Sequence, residues 1–444
     1  MRFHIETYGC QMNEYDSRLV ASMLVADGND DVGDPLSADV VIVNTCSVRE
    51  RAEKRVLGRL KQLRGMMRKD AALGVIGCVA QRMGDRLMRE VPGLGFVVGT
   101  DRYRNLPAIV AGAETGSRSV SVSPADSESY DRGAVPEEAS LCEFVGAMRG
   151  CDNYCSYCIV PYVRGRERSR PVASIVREVE ALVELGTREV TLVGQNVNSF
   201  NDGGDGFAEL LASVNAIDGL RRIRFATSHP KDLSDEVITA VASLDKVCEH
   251  VHLPVQAGSS DVLKAMNRSY TREDYVALAG RIRDAVPGVA LTTDIIVGFP
   301  GETDEQFRET VTLMEQIRFD SAFMFRYSVR EGTQAALLVD DVPENEKIAR
   351  LETIIELQKR LTSEVNEGLV GSLAEVLVEG PSQKNDERLF GRSRTGKAVV
   401  FPGPRELVGS PVCVRISAAS AWTLHGTDPR PAPERPGERP CGSQ

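Results

Sequence analysis

Short apolar runs alternate with amphipathic stretches over the first 113 residues. The runs at 2–8, 38–43, 71–76 and 95–98 predict strands, and the stretches between them predict helices. Strands that alternate with helices in this way are typical of parallel βαβ units. Residues 1–115 are therefore predicted to form an open parallel α/β domain.

The same alternation resumes at residue 141 and continues to residue 368. Six apolar runs, each followed by loop and helix signals, predict strands at 142–148, 188–193, 221–226, 249–253, 289–297 and 321–327. Six such units predict a central (β/α)6-type partial barrel, in which active groups lie at the C-terminal ends of the strands. A long amphipathic helix is predicted after Pro343.

The remaining segments differ in composition. Residues 116–140 are rich in Ser, Glu and Pro, with few large apolar side chains, which predicts a linker. Alternating runs at 373–378, 388–391, 397–401 and 412–416 predict a small antiparallel β-barrel over 369–427. Residues 428–444 are polar and proline-rich, and we predict a disordered tail there.

Composition and charge narrow the class of protein. The 444 residues are 42% hydrophobic and 26% charged, which is typical of a packed globular chain. No run approaches the roughly 18 apolar residues of a membrane span, so we expect a cytoplasmic protein without a membrane partner. The net charge of −11 lies wholly within residues 141–368, because the charges of the other segments sum to zero. Overall acidity therefore does not exclude RNA binding by the two ends.

Three cysteines lie close together directly after the first predicted barrel strand. Cys151, Cys155 and Cys158 have the spacing Cys-x3-Cys-x2-Cys. Three thiolates in one loop can hold three corners of a [4Fe–4S] cluster and leave the fourth iron open for chemistry. The alternatives are three unrelated core cysteines or a zinc site, but zinc would require a fourth Cys or His at paired spacing.

A second set of cysteines is spread along the N-terminal domain. Cys10, Cys46 and Cys78 each follow one of the first three predicted strands. The carboxyl ends of parallel strands line one crevice, so these side chains are expected to converge and to hold a second cluster. Core packing is the alternative explanation. Nearby polar residues could bond cluster sulfides or could cap helices; they are Gln11, Asn13, Asn44 and Thr45.

Several motifs together resemble one family, the methylthiotransferases of the radical S-adenosylmethionine superfamily, and within it the MiaB-type branch. They are TYGCQMNEYDSRLV at 7–20, NTCSVRE at 44–50, GC at 77–78, GCDNYCSYCIVPYVRGRERSR at 150–170 and NRSYTREDY at 267–275. The resemblance covers about residues 1–425. It implies an N-terminal cluster domain, a radical SAM barrel and a C-terminal TRAM β-barrel.

The resemblance also implies a reaction and its cofactors. The expected enzyme converts N6-(dimethylallyl)adenosine 37 of tRNA to its 2-methylthio derivative. It would use two [4Fe–4S] clusters, two S-adenosylmethionines and a cluster-held sulfur. Cys151, Cys155 and Cys158 would carry the catalytic cluster. Expected partners are the tRNA anticodon loop, an external electron donor and a sulfur donor system, and we expect a monomer.

Four polar residues are candidates for contacts with S-adenosylmethionine. Gln195 and Asn196 follow the second barrel strand, where related enzymes contact the methionine group. His229 and Gln256 follow later strands and should face the same mouth of the barrel. Loop capping by the two amides and a structural role for His229 remain open alternatives.

Two groups of basic residues are candidates for RNA contacts. Arg164, Arg166 and Arg168 lie just beyond the cysteine triplet, and arginine binds phosphate well because its guanidinium is planar and forked. A solvated loop with local ion pairs is the alternative. The second group lies in the C-terminal β-barrel and comprises Lys384, Arg392, Arg394 and Lys397.

Two other functions remain open. One is methylthiolation of threonylcarbamoyl-adenosine in tRNA or of a ribosomal protein aspartate. The other is an iron–sulfur scaffold protein without turnover, which would leave the polar strand-end residues without a purpose. The Cys-Gln-Met-Asn run at 10–13 and the basic C-terminal barrel favour the adenosine substrate.

Overall fold

The computed structural model describes residues 1–47, 50–114, 116–125 and 127–432. The chain divides into two compact units. Unit 1 holds Met1–Gly186, Thr191–Asp205 and Ser328–Ala336, and unit 2 holds Thr187–Val190, Gly206–Tyr327 and the described residues from Leu337 onward. Within the described ranges, no helix is long and apolar enough to cross a bilayer.

The N-terminal part of unit 1 is a six-stranded sheet in which every neighbouring pair is parallel, in the order β2-β1-β3-β4-β5-β6. Its strands are β1 (Arg2–Tyr8), β2 (Asp30–Asp31), β3 (Val40–Thr45), β4 (Ala72–Gly77), β5 (Phe96–Val98) and β6 (Ser119–Ser121). The central strands β3 and β4 are buried throughout, which is typical of a parallel sheet covered on both faces. The four predicted strands are confirmed, and the short β2 and β6 were not predicted.

Helices cover both faces of this sheet. They are α1 (Gln11–Ala26), α2 (Glu50–Met66), α3 (Cys78–Met83), α4 (Asp85–Glu90) and α5 (Leu106–Glu114). Successive side chains of β3 enter opposite cores, so Val40 and Ile42 pack in one cluster and Val41 and Val43 in the other. Each face of the sheet therefore has its own apolar core.

The prediction of a simple linker at 116–140 is wrong. β6 extends the sheet, and Tyr130 and Ala134 are buried in the core beneath α1 and α5. The Tyr130 hydroxyl also donates a hydrogen bond to the carbonyl of Thr100 at 2.9 Å. The segment is poor in large apolar residues, but these two anchor it.

The rest of unit 1 begins the barrel. Its elements are β7 (Cys142–Gly146), β8 (Met148–Arg149), α6 (Val160–Arg164), β9 (Arg168–Ser169) and α7 (Val172–Glu184). Strand β10 (Glu189–Val193) contributes residues to both units. In unit 1, the Ala147 amide donates to the carbonyl of Val193 at 2.9 Å, which aligns the ends of the first two barrel strands.

Unit 2 continues the strand–helix alternation. Its elements are α8 (Phe207–Asn215), β11 (Arg222–Phe225), α9 (Asp235–Ser243), β12 (His250–His252), α10 (Ser260–Ala265), α11 (Arg272–Ala285), β13 (Ala290–Val297), α12 (Asp304–Ile317), β14 (Ser321–Arg326) and α13 (Glu344–Glu367). Strands β12, β13 and β14 form a parallel sheet in sequence order. All six predicted barrel strands are present, and the predicted fold class is confirmed.

The C-terminal region is a closed five-stranded barrel with the order β15-β16-β17-β19-β18. Its strands are β15 (Leu373–Ser382), β16 (Asn385–Ser393), β17 (Ala398–Pro402), β18 (Pro411–Ala419) and β19 (Leu424–Pro431). The first four were predicted. β19 was not, and it corrects the predicted tail boundary because residues 428–431 belong to a strand. The remainder of the predicted tail, 433–444, lies outside the described residues.

The turn at 393–397, between β16 and β17, contacts the N-terminal ends of barrel strands in the same unit. We name it the barrel-facing turn. The Arg394 guanidinium binds the Glu249 carboxylate just before β12, with its Nε 2.7 Å from Oε2. The Lys397 Nζ lies 2.7 Å from Oδ1 of Asp320, just before β14. The Arg224 guanidinium donates to the Ser393 carbonyl at 2.7 Å.

Candidate active site

The three cysteines of the N-terminal domain lie at neighbouring strand ends. Cys10 precedes α1 directly after β1, Cys46 follows β3, and Cys78 begins α3 after β4. These strands are adjacent in the sheet, and their last residues are paired in register. The convergence expected from the sequence is therefore present in the fold.

The sulfur atoms of this group lie in an electropositive environment. Contact with the Cys46 side chain and the nearby Arg164 cation lower the pKa of the Cys10 thiol to about 6, because both favour the thiolate. Burial raises the pKa of Cys78, and Arg164 opposes that rise. The Arg164 Nε donates a hydrogen bond to Cys78 Sγ at 3.1 Å.

Two buried asparagines hold the Cys10 and Cys46 turns together. Asn13 Nδ2 donates to Asn44 Oδ1 at 2.9 Å, and Asn44 Nδ2 donates to the Asn13 carbonyl at 2.8 Å. Cys10 Sγ lies 3.4 Å from Asn13 Oδ1. These amides therefore orient the loops that carry the thiols.

A buried ion-pair network lies behind Cys78. Asp16 of α1 accepts from Arg164 Nη1 at 2.7 Å and pairs also with Arg149. The Arg149 guanidinium lies over the Tyr130 ring, 4.4 Å from its centroid. Sequence reasoning did not identify Asp16. Its position on the apolar face of α1, four residues after Met12, was the available signal.

The cysteine triplet occupies one tight loop of unit 1. The Cys151 amide donates to the Gly165 carbonyl at 3.1 Å, and the Cys158 amide donates to the Cys155 carbonyl at 2.9 Å. Cys151 and Cys155 are buried and Cys158 is partly exposed. Burial raises the pKa of the Cys151 thiol to about 11, so binding iron would require loss of its proton.

Gly150 enables this loop to close. Its φ is +79°, and a Cβ atom would lie 1.8 Å from the Arg166 carbonyl oxygen. We therefore expect Gly150→Ala to displace the loop and to reduce the iron bound by the triplet to less than half, measured by iron analysis after reconstitution. Gly58→Ala, at a helical position with open space around it, is the control and should retain the parent iron content. Equal iron in both variants would contradict the expectation.

Glu167 also organises the triplet loop. Its carboxylate accepts from the Asp152 amide at 3.2 Å and from Ser199 Oγ at 2.8 Å. Asn196 Nδ2 donates to it at 3.1 Å, and Gln195 Oε1 accepts from the Gly150 amide at 2.6 Å. Gln195 and Asn196 thus hold the loop, and their contact with S-adenosylmethionine stays a prediction.

The other two candidates for contact with S-adenosylmethionine, His229 and Gln256, lie in unit 2 and have different hydrogen-bond partners. His229 is buried, and burial lowers its pKa to about 2. Its Nδ1 accepts from the Lys231 amide at 3.2 Å, which favours the structural role. Gln256 has a φ of +72°, and its buried Oε1 has no hydrogen-bond partner among the described residues. This orphaned oxygen favours a ligand contact.

Most of the predicted RNA-binding residues are already engaged in ion pairs. Arg164 and Arg168 are corrections, because Arg164 is buried and the partly buried Arg168 binds Asp101 at 3.0 Å. Arg394 and Lys397 are corrections too, because both are partly buried and their charges are paired with Glu249 and Asp320 in the barrel-facing turn.

Three predicted RNA contacts remain exposed. Arg166 is 69% exposed and pairs with Asp152 at 2.7 Å, and Arg392 pairs with Glu379. Lys384 is exposed in the turn between β15 and β16. Sequence reasoning missed an exposed aromatic pair in the same segment of the chain as Arg166. It comprises Tyr154 and Tyr162, whose ring centroids are 6.0 Å apart. The signal was one tyrosine within the triplet and a second four residues after it.

A polar row lies along β12 and β13 in unit 2. The Thr292 hydroxyl lies 3.0 Å from His252 Nδ1 and 3.2 Å from His250 Nε2. His252 also packs edge-on against Phe323, which is 59% exposed. His250 lies against Gly396 of the barrel-facing turn, so the part of the row that suits a ligand with polar and aromatic parts is His252 with the exposed Phe323.

Three known families match successive parts of the chain, in the order of the three predicted domains. The radical SAM superfamily matches residues 145–314, the Uncharacterized protein family UPF0004 matches 2–99, and the TRAM domain matches 368–427.

Curated relatives match almost the whole length. A tRNA-2-methylthio-N(6)-dimethylallyladenosine synthase of Carboxydothermus hydrogenoformans is 46% identical over 432 residues, covering 96% of this chain and 98% of that protein. The chain belongs to this synthase family. A family member from Acetivibrio thermocellus is 45% identical and covers 95% of this chain and 90% of its own length. The synthase family includes the radical SAM domain, which implies a [4Fe–4S] cluster and S-adenosylmethionine.

Solved structures of other radical SAM enzymes share the fold. The methyltransferase TsrM of Kitasatospora setae has a TM-score of 0.58 at 16% identity, covering 76% of this chain and 77% of that one. The cobalamin-dependent enzyme OxsB has a TM-score of 0.54 at 12% identity, covering 89% and 64%. At these identities the likeness concerns the fold alone.

Both cysteine groups fit an iron–sulfur cluster in their donor chemistry. Among the described residues, no three Cys, His, Asp or Glu side chains are grouped to hold one metal ion. In a cubane cluster each thiolate binds a different iron, so that finding does not test a cluster. Around the N-terminal group, three buried polar atoms have no partner in the described chain: Ser47 Oγ, Arg149 Nη1 and Arg164 Nη2. Cluster sulfides would satisfy such donors.

Proposed function

We propose that this chain is a radical SAM methylthiotransferase that converts N6-(dimethylallyl)adenosine 37 of tRNA to its 2-methylthio derivative. The observation that carries the proposal is 46% identity over nearly the full length of a synthase with that name. Both cysteine groups support it, because the reaction needs a radical generator and a sulfur carrier.

Cys151, Cys155 and Cys158 would hold the radical-generating [4Fe–4S] cluster. When bound, that cluster supplies the electron that cleaves S-adenosylmethionine at its open iron. Glu167 and Gln195 keep the three thiols in one loop, and burial of Cys151 and Cys155 restricts access of water. An external electron donor is required, since these residues provide none.

Cys10, Cys46 and Cys78 would hold the second cluster and, on it, the sulfur to be inserted. The acidic thiol of Cys10 and the hydrogen bond at Cys78 both favour thiolates at this position. The incorporated sulfur must be replaced after each turnover, so a sulfur donor system is part of the proposal. We propose cytoplasmic action as a monomer, on the tRNA anticodon loop.

Exposed aromatic and basic groups support RNA binding. Tyr154 and Tyr162 offer stacking surfaces, and the exposed cation of Arg166 lies in the same segment of the chain. The polar row and Phe323 suit an adenine that has been turned out of the anticodon loop, because they combine hydrogen-bonding groups with an exposed ring.

Substitutions that each remove one positive charge test the proposed RNA-binding surface. Lys384→Ala and Arg166→Ala are each expected to weaken tRNA binding and to reduce the slope of log K against log salt by about one. Arg308→Ala removes an equally exposed cation from the acidic helix α12 and should leave the slope unchanged. Fluorescence anisotropy over a salt series measures all three. An unchanged slope for Lys384→Ala and Arg166→Ala would place the RNA elsewhere.

Nucleoside mass spectrometry of total tRNA tests the proposed function directly. Cells without the gene should lose the 2-methylthio nucleoside and accumulate N6-(dimethylallyl)adenosine, and the intact gene on a plasmid should restore the parent pattern. An unchanged 2-methylthio nucleoside would refute the adenosine substrate. Loss of a methylthiolated threonylcarbamoyl-adenosine instead would identify the other tRNA substrate.

A further inference from the structure

Arg164 connects the two cysteine groups of unit 1. It ends α6, six residues after Cys158, yet its guanidinium reaches the N-terminal group. Its Nε donates to Cys78 Sγ at 3.1 Å, and its Nη1 donates to Asp16 Oδ2 at 2.7 Å. The side chain is buried, so no surface role explains its charge.

The surroundings of Arg164 carry a net positive charge. Arg149 and Arg164 are cations, and among the described residues Asp16 is the one carboxylate that forms ion pairs with them. The Tyr103 hydroxyl, 3.3 Å from Asp16 Oδ2, adds no charge. One positive charge of this buried network is therefore not balanced by a carboxylate, and it would attract a negatively charged group bound at Cys78.

A three-thiolate cluster supplies the complementary charge. An oxidised [4Fe–4S] core has a charge of +2, so with three thiolate ligands the cluster has a net charge of −1. Reduction by one electron makes the net charge −2. A fixed cation with an N–H group on a ligand sulfur stabilises the more negative, reduced state, and this raises the reduction potential. Arg164 Nη2, buried and without a partner among the described residues, provides a further donor at this site.

We propose that Arg164 is a positioning residue that raises the reduction potential of the cluster held by Cys10, Cys46 and Cys78, through its hydrogen bond to Cys78. The residue is supplied by α6, the helix that follows the triplet loop, so folding of this segment completes the environment of the N-terminal cysteine group. This inference rests on the second cluster of the proposed function.

Redox titration of the second cluster alone tests the proposal. The full-length chain with Cys151→Ala, Cys155→Ala and Cys158→Ala serves as the parent, and reduction is followed by electron paramagnetic resonance. Arg164→Gln is expected to lower the reduced-to-oxidised ratio at a fixed potential about tenfold, which is about 59 mV for one electron. Arg164→Lys should shift it less, because lysine keeps the charge but cannot bond Asp16 and Cys78 together.

Arg166→Gln is the matched control. It removes an arginine of the same loop that is exposed and bound to Asp152, so the potential should equal that of the parent. Potentials that are equal in the parent, Arg164→Gln and Arg164→Lys would overturn the proposal, provided that circular dichroism shows all three folded.

If Arg164→Gln does not fold, a second measurement on the parent tests the proposal. With ¹⁵N-labelled arginine, pulsed electron paramagnetic resonance of the reduced cluster should detect a weak nitrogen coupling, which Arg164→Lys should lose. Absence of that coupling in the parent would overturn the proposal. If the parent binds no cluster at all, the two-cluster part of the proposed function fails instead, so the two failures are distinguishable.

Discussion

Cys155→Ala is expected to abolish both 5′-deoxyadenosine and the methylthiolated nucleoside, whereas Cys46→Ala is expected to abolish only the nucleoside. Cys155 belongs to the triplet that would hold the radical-generating cluster, and without it the open iron is lost. Cys46 lies at the end of β3, in the other group, so cleavage of S-adenosylmethionine does not depend on it. Chromatography with mass spectrometry of both products, in reactions with reductant and tRNA, measures the two outcomes.

The control for this pair is Cys142→Ala. Cys142 begins β7 and belongs to neither group, so both products should form at close to the parent rate. Methylthiolation at the parent rate by Cys46→Ala would refute the division of roles between the two groups. Loss of 5′-deoxyadenosine in Cys46→Ala would show instead that the two sites depend on each other for assembly.

Asp16→Ala is expected to lower the free energy of unfolding by about 3–5 kcal/mol. The substitution leaves the buried guanidiniums of Arg149 and Arg164 without their shared carboxylate. An unpaired charge in an apolar interior costs far more than the lost attraction alone. Chemical denaturation of the protein followed by circular dichroism measures the effect.

Asp39→Ala provides the comparison at the surface. Asp39 pairs with Arg2 at 3.0 Å and also with Arg68, but its side chain is 28% exposed and those of Arg2 and Arg68 are 45% and 43% exposed. Water and salt screen such a pair, so the loss should be less than about 1 kcal/mol. Equal losses for Asp16→Ala and Asp39→Ala would mean that the Asp16 network contributes no more than a surface contact.

The strands and the cysteine positions could be predicted because their signals are local. A parallel strand appears as an apolar run, and Cys10, Cys46 and Cys78 each follow such a run directly. Parallel pairing then brings their strand ends together without further information. The same reasoning located the triplet loop after β7.

The roles of the arginines could not be predicted, because their partners are distant in the sequence. Arg164 binds Asp16, 148 positions away, and Arg394 binds Glu249, 145 positions away. Nothing near either arginine in the sequence identifies such a carboxylate. A basic cluster therefore looked like an RNA surface where the fold has buried ion pairs.

The predictions for the linker at 116–140 and for the start of the tail at 428 were wrong because they too depended on distant parts of the sequence. Tyr130 is one aromatic residue in a polar segment, and its burial depends on the core formed by α1 and α5. β19 contains two prolines and few apolar residues, but closure of the barrel requires its pairing with β18 and β17. Tertiary pairing overrides composition in both segments.

The barrel-facing turn limits how this protein can have evolved. Domain boundaries commonly lie in flexible linkers, where few contacts cross from one domain to the next. Here a β-barrel turn supplies Arg394 and Lys397 to carboxylates of the strands below it, and Arg224 depends on a carbonyl of that turn. A C-terminal module from another lineage would leave these charges unmatched. Substitutions on one side of this contact are therefore expected to require matching changes on the other side.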